Sequence, residues 1–149
     1  MRSFLIRMLI AAVATLALLV LPQCVMATEL VVHLVSDHKG GDPNTRYNNQ
    51  NVGLGVVTQE GNLAGVYYNS YKTWSPYLGK EWLYKDTVGG WLGIAFNYKE
   101  VSRTGVLLIG GLTVKVRTAA TGDTALKITA VPRSGDNPQV VHLMLVHKF

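Results

Sequence analysis

The sequence predicts an all-β fold, an eight-stranded antiparallel up-and-down β-barrel of the outer-membrane type. In the segment 140–149, every second residue counted back from the terminal Phe149 is apolar except one histidine, and membrane barrels commonly close on such a strand. Segments of about eight to eleven residues recur along the chain between glycine, asparagine, aspartate and proline residues. We count eight such segments, and bacterial membrane barrels have even strand numbers. A soluble β-sandwich is the alternative reading.

Residues 1–27 are expected to be a secretory signal peptide and are excluded from the fold. Arg2 and Arg7 form a short basic region, an apolar run follows, and small residues precede the cleavage site after Ala27. Cys24 is the alternative, as a lipoprotein cysteine, but its preceding proline and glutamine do not suit that recognition.

The composition of residues 28–149 excludes several classes of function. The one cysteine lies in the signal peptide, so a disulfide scaffold, a thiol nucleophile and a cysteine-ligated metal are excluded. The basic excess is small, and no basic stripe with interleaved aromatic residues indicates nucleic-acid binding. No apolar run reaches the roughly 20 residues of a transmembrane helix, so membrane insertion requires a closed barrel. We predict no cofactor and no metal site.

The predicted strands follow one another with no helical segment and no interdomain linker, so residues 28–149 form one domain. The connections after the second, fourth and sixth strands are short and turn-like, and those after the odd strands are longer or more polar. Short turns on the periplasmic side and longer loops outside are typical of membrane barrels. The strands are expected at 29–36, 51–59, 63–69, 76–85, 90–98, 106–117, 124–131 and 140–149.

Aromatic and glycine residues add expectations about the two faces of the barrel. Six aromatic residues near strand ends are expected to form girdles at the membrane interfaces, with a soluble aromatic core as the alternative. Gly53 and Gly55 alternate along the second strand and project to one side, where they could leave room for a ligand or serve barrel curvature. The six aromatic residues are Trp74, Trp82, Trp91, Tyr77, Tyr84 and Tyr98.

Several short stretches carry a family resemblance through their order and spacing. Val-His-Leu at 32–34 precedes a polar loop ending Thr-Arg-Tyr-Asn-Asn at 45–49, and Gly-Leu-Gly at 53–55 follows. Asn69 and Ser70 then precede Gly-Lys-Glu-Trp at 79–82, and Ile-Thr-Ala-Val-Pro at 128–132 comes late in the chain. In this order the chain resembles the outer-membrane lipid A palmitoyltransferase (PagP) family, diffusely, over residues 31–149.

The resemblance implies a monomeric outer-membrane enzyme that transfers an acyl chain from phospholipid to lipid A, with a hydrocarbon pocket inside the barrel. It also implies a histidine, an aspartate and a serine near the extracellular rim. His33 matches the histidine, as the base, and Ser70 matches the serine. Asn69 stands at the aspartate position, where it could orient the imidazole but not stabilise its charge. In a serine-protease triad the equivalent change lowers kcat about 10⁴-fold.

Two carboxylates bear on this reading. Asp37 lies four residues after His33, on the same face of a regular strand, and could supply the missing charge. Glu81 falls where the family has the glycine at the pocket floor, so it is expected to shorten or close the pocket and change the chain-length specificity. A carboxylate there requires partners, for which Lys115 and Arg117 are the candidates. The alternative function is a non-catalytic lipid-binding or structural barrel.

The remaining polar residues leave two further questions. His33 and His38 are five apart, as are His142 and His147, so each pair is expected on opposite strand faces with no local metal chelation. Asp37, His38 and Asp42 could bind a divalent cation, although a solvated polar loop is the simpler reading. Mid-strand lysines 80 and 127 keep a soluble periplasmic barrel open as an alternative location, because lysine facing lipid is costly.

Overall fold

The protein is described by a computed structural model that covers residues 27–117, 122–133 and 137–149. These residues form a closed antiparallel barrel in which each strand pairs with the next and β8 pairs with β1. The predicted all-β fold with eight strands is confirmed. The strands are β1 (Ala27–Lys39), β2 (Gln50–Thr58), β3 (Asn62–Tyr68), β4 (Trp74–Tyr84), β5 (Val88–Ala95), β6 (Leu107–Arg117), β7 (Thr124–Val131) and β8 (Gln139–Lys148).

The predicted strand bounds agree with these to about three residues. The largest differences are in β1, which is longer than predicted, and in β5, which ends at Ala95 rather than near Tyr98. The predicted signal peptide lies outside the described residues except for Ala27. No helix among the described residues is long and apolar enough to cross a membrane.

The barrel interior holds both polar and apolar side chains, and large apolar side chains are exposed on its outer face. In β8, Met144 and Val146 are buried, whereas Val141 and His147 lie on the exposed face that ends at Phe149. The row identified in the sequence therefore lies on the outside. Buried polar or charged side chains are Glu29, His33, Ser36, Asn51, Thr58, Asn69, Ser75, Glu81, Thr113, Lys115, Lys127 and Thr129.

A β-bulge in β1 reverses the alternation of its side chains. The register of β1 against both β2 and β8 shifts between His33 and Val35. An extra residue at a bulge moves every later side chain to the other face. Asp37 is consequently exposed, and His38 joins the interior face. The expectations that Asp37 shares a face with His33, and that the two histidines lie on opposite faces, are therefore wrong.

The outer aromatic residues are fewer than predicted. Trp74 lies at one end of β4, and Trp82 and Tyr84 lie near the other, all three exposed on the outer face. Tyr77 and Tyr98 are instead buried, and Trp91 packs against the same interior cluster. The side chain of Lys127 also points inward, where it is buried, so it cannot bear on lipid contact. Lys80 is partly exposed.

The two ends of the barrel differ. We call the end with the connections that follow β1, β3, β5 and β7 the loop end, and the opposite end the turn end. At the turn end, residues 59–61 and 85–87 make short connections, as predicted from their glycine, asparagine and aspartate content. Of the third predicted turn, 120–123, the first two residues lie outside the described residues.

Candidate functional site

A serine, a histidine and an asparagine form a hydrogen-bonded chain at the loop end. Ser70 Oγ lies 2.6 Å from Nε2 of His38, and Nδ1 of the same ring lies 2.8 Å from Oδ1 of Asn49. An amide oxygen can only accept, so the Nδ1–H donates to Asn49 and Nε2 accepts from the Ser70 hydroxyl. This order of donors and acceptors is the one by which a histidine activates a serine for attack.

The bulge and the first loop together hold this chain in place. The bulge turns His38 toward the interior, and the backbone N–H of Ser36 donates to the carbonyl of Asn49 at 2.8 Å. Tyr47 stacks on the His38 ring with 5.0 Å between ring centroids and 9° between planes. The backbone N–H of Asn48 donates to the carbonyl of Ser70 at 2.8 Å, which ties the first loop to the second.

Asn69 shapes the loop that presents Ser70. Its side chain is fully buried, and Oδ1 accepts the backbone N–H groups of Tyr71 at 2.9 Å and Thr73 at 3.0 Å. Its Nδ2 donates to Ser75 Oγ at 2.8 Å. These bonds use the amide oxygen and nitrogen within the loop and at the start of β4. Asn69 therefore lies next to Ser70 in sequence but positions it through the backbone rather than through a histidine.

His33 lies deeper in the barrel, five residues before His38, a distance of about 16 Å along a regular strand. Its Nε2 is 2.8 Å from the Tyr77 hydroxyl, and its ring stacks on Tyr67 at 5.2 Å. The His142 ring is 5.0 Å away. The imidazole that reaches Ser70 is thus that of His38, while the one predicted from the sequence belongs to a buried aromatic cluster.

A cleft of about 160 Å³ runs from the loop end into the barrel, beside His38 and Ser70. Its walls are mostly apolar, and Tyr67, Trp91 and His142 lie among its deeper lining residues. A cavity of about 150 Å³ is known to hold benzene, so this cleft has room for an apolar group of roughly six carbons. It can therefore take a short acyl chain.

The cleft also reaches the outer face, between β6 and β7. Among the described residues, which leave out 134–136, strand β6 pairs with β7 only from Leu112 to Arg117, and residues 107–111 have no ladder partner on that side. Leu108, which is 69% exposed, and Pro132 both line the cleft. Proline lacks a backbone N–H and cannot continue the ladder. Among the described residues, the cleft therefore borders the outer face as well as the loop end.

Of the predicted pocket residues, Glu81 lines a smaller space below the cleft, which we call the inner chamber. Gly53 and Gly55 both face the interior, but a side chain at Gly53 would collide with the backbone of the neighbouring strand at Val66 and Tyr67. A side chain at Gly55 would collide with the Tyr77 hydroxyl, so the ring of Tyr77 occupies the room that Gly55 leaves. The inner chamber measures about 70 Å³, less than half the volume that holds benzene, and Glu81 lines it. As it stands, this chamber has no space for a sixteen-carbon chain.

An ion cluster lies inside the barrel toward the turn end. Glu81 pairs with Lys127 and lies 3.9 Å from the Lys115 ammonium. Lys115 also donates to both oxygens of Glu29, at 2.8 and 2.9 Å, and to Asp86 at 3.0 Å. Of the two candidate partners for Glu81, Lys115 is therefore confirmed. The other candidate, Arg117, bonds to Asp86 instead.

Asp86 connects this cluster to the surface. The Arg117 guanidinium bonds to its Oδ2 at 2.8 Å. Burial opposes ionisation of Asp86, but the hydrogen bond from Lys115 and the two positive charges outweigh it and hold the pKa below its ordinary value. No group of three or more His, Cys, Asp or Glu side chains in the described part of the chain is arranged to hold a metal ion.

Comparison of the chain with protein-family models and with curated proteins gives no match. The site must therefore be judged by its own geometry. Sequence reasoning identified Ser70 but missed His38 and Asn49. Regular strand alternation placed His38 on the wrong face. The spacing of histidine and serine along the chain carries no signal of a bulge.

Proposed function

We propose that this chain is an outer-membrane acyltransferase that takes an acyl group from phospholipid onto Ser70 and passes it to lipid A. The observation that carries the proposal is the hydrogen-bonded chain from Ser70 through His38 to Asn49 beside an apolar cleft. Phospholipid and lipid A as donor and acceptor are what the family resemblance implies.

The proposed reaction has two balanced half-reactions. Ser70 Oγ attacks the acyl carbonyl carbon while its proton passes to Nε2 of His38. The ester C–O bond then breaks, and the imidazolium returns the proton to the leaving alkoxide, which leaves an acyl-serine. A hydroxyl of the acceptor attacks this ester in the same way, and the Ser70 hydroxyl is restored. Asn49 keeps the imidazole in the required tautomer throughout.

The surface of the barrel supports a membrane location. Large apolar side chains are exposed on its outer face, while charged side chains are buried within, which is the arrangement of an outer-membrane barrel. Trp74 and Trp82 lie near opposite ends of β4, eight residues or about 26 Å apart along the strand. An apolar band about 25 Å tall, flanked by aromatic residues, is typical of these proteins.

Labelling of the active serine tests the proposal most directly. Detergent-purified protein treated with a fluorophosphonate should be modified at Ser70, and lipid A from cells expressing it should gain an acyl chain by mass spectrometry. Ser70→Ala and His38→Ala should lose both signals. Ser102→Ala in the third loop and His147→Ala on the outer face are the matched controls and should keep them. Labelling that persists in Ser70→Ala refutes the assignment.

A non-catalytic lipid-binding barrel is the second candidate. It is favoured by Asn49, an amide where most serine-histidine sites place a carboxylate. Such a protein would bind phospholipid in the cleft without labelling at Ser70. Recovery of the protein in the soluble periplasmic extract without detergent would contradict the membrane location in either case.

A further inference from the structure

The bottom of the cleft contains polar groups that an alkyl chain would not satisfy. Trp91 and His142 line both the cleft and the inner chamber beneath it. Indole Nε1 of the first and Nε2 of the second are buried without a hydrogen-bond partner in the described residues. Nδ1 of His33, which lines the inner chamber, is in the same state.

Several other polar groups that line the cleft and the inner chamber have hydrogen-bond partners, unlike these three nitrogens. The hydroxyls of Tyr67 and Tyr98 form a hydrogen bond with each other, and Oγ1 of Thr129 lies 3.2 Å from Oγ1 of Thr113. An indole N–H can only donate, so Trp91 requires an acceptor. A buried donor left unpaired is costly, and a bound group that supplies the acceptor removes that cost.

We infer that the acyl group accepted by the site is short and carries an acceptor oxygen, keto or hydroxyl, on its distal part, which receives the N–H of Trp91. The inference rests on the proposed function and names its substrate class. The cleft volume of about 160 Å³ has room for roughly six carbons of the acyl chain. The unpaired nitrogens at its inner end then select against a plain alkyl terminus.

Two matched esters test this inference. The ratio of kcat/KM for 4-nitrophenyl 5-oxohexanoate to that for 4-nitrophenyl hexanoate should be about ten in the wild type, from the cost of one unpaired donor. Trp91→Phe should bring the ratio to about one. Trp82→Phe, the same change on the outer face, should leave it at about ten. A wild-type ratio near one overturns the inference, and so does a ratio that Trp91→Phe leaves unchanged.

A binding measurement separates this inference from the proposed function. In Ser70→Ala protein, methyl 5-oxohexanoate should bind about tenfold more tightly than methyl hexanoate by tryptophan fluorescence titration. Equal affinities overturn the inference even where Ser70 labels normally. If neither ester is turned over by the wild type, the proposed function fails, but tighter binding of the oxo compound still supports the selectivity of the cleft.

Discussion

Replacing Asn49 with aspartate should raise the rate of ester cleavage. The substitution keeps an oxygen at the position that accepts the Nδ1–H of His38, now 2.8 Å away, and adds a negative charge beside the imidazolium that forms during attack. The variant should also require a higher pH for full activity, because the carboxylate favours the protonated ring.

The expected gain is modest, and the structure explains why. In a serine-protease triad, the aspartate-to-asparagine change costs about 10⁴ in kcat because the amide holds the wrong tautomer. Here Asn49 Oδ1 already accepts from Nδ1, so only the charge is missing. A hydrogen bond to a charged group contributes roughly 1.4 kcal/mol more free energy than one between neutral groups, which corresponds to about tenfold in rate. Asn49 is exposed, so solvent screening keeps the gain from growing beyond this.

The assay is kcat/KM for 4-nitrophenyl hexanoate as a function of pH. Asn49→Asp should increase the plateau about tenfold and move the acid limb up by about one pH unit. Asn69→Asp is the matched control. It places a carboxylate at a fully buried position whose Nδ2 now donates to Ser75, so we expect a lower melting temperature and no gain in rate. A larger gain from Asn69→Asp than from Asn49→Asp would refute the assigned geometry.

Three further predictions follow from the interior. His38→Ala should lower kcat/KM at least 100-fold, whereas His33→Ala should retain most of it, and the reverse result would restore His33 as the base. Glu81→Gln leaves Lys127 buried without its partner and should cost about 3–5 kcal/mol in urea unfolding. The double change Glu81→Leu with Lys127→Met should recover most of that loss, and an equal loss in both would contradict the pairing. Because the folded-state pKa of Asp86 is depressed, its stabilising contribution is present above about pH 4 and is lost as pH falls further. Asp86→Asn should therefore lower the melting temperature at pH 6 but not at pH 2, and equal losses at the two pH values would argue against an ionic role.

The barrel itself could be predicted because its signals are local and repeated. Alternating apolar residues, short turns and strand count each point to the same fold, so an error of a few residues at one strand end does not change it. Glu81 was interpretable in part, since a buried carboxylate requires a cation and Lys115 was one of the two candidates, but its nearer partner Lys127 was not among them. The confirmed fold therefore depends on periodicity more than on any single residue.

The site could be predicted only in part, because its geometry depends on one irregular residue. Ser70 was identified from the sequence, but the faces on which Asp37 and His38 lie depend on the bulge after His33. No glycine or proline at the bulge indicates it in the sequence. Asn49, the hydrogen-bond partner of His38, belongs to a loop that folds back against β1. The number of residues between the two side chains does not predict this contact. Which two side chains meet was therefore decided by tertiary structure.

The ion cluster at the turn end has an electrical consequence. Glu81 lines both the inner chamber and the wide space on the turn side, so its pairs with Lys127 and Lys115 lie across the barrel axis. A hydrated ion moving along that axis would have to displace fixed charges that already neutralise one another. Reconstituted in a planar bilayer, the barrel should behave as an insulator, with no single-channel conductance. For the described residues, a molecule that enters the cleft at the loop end therefore has the ion cluster between it and the turn end.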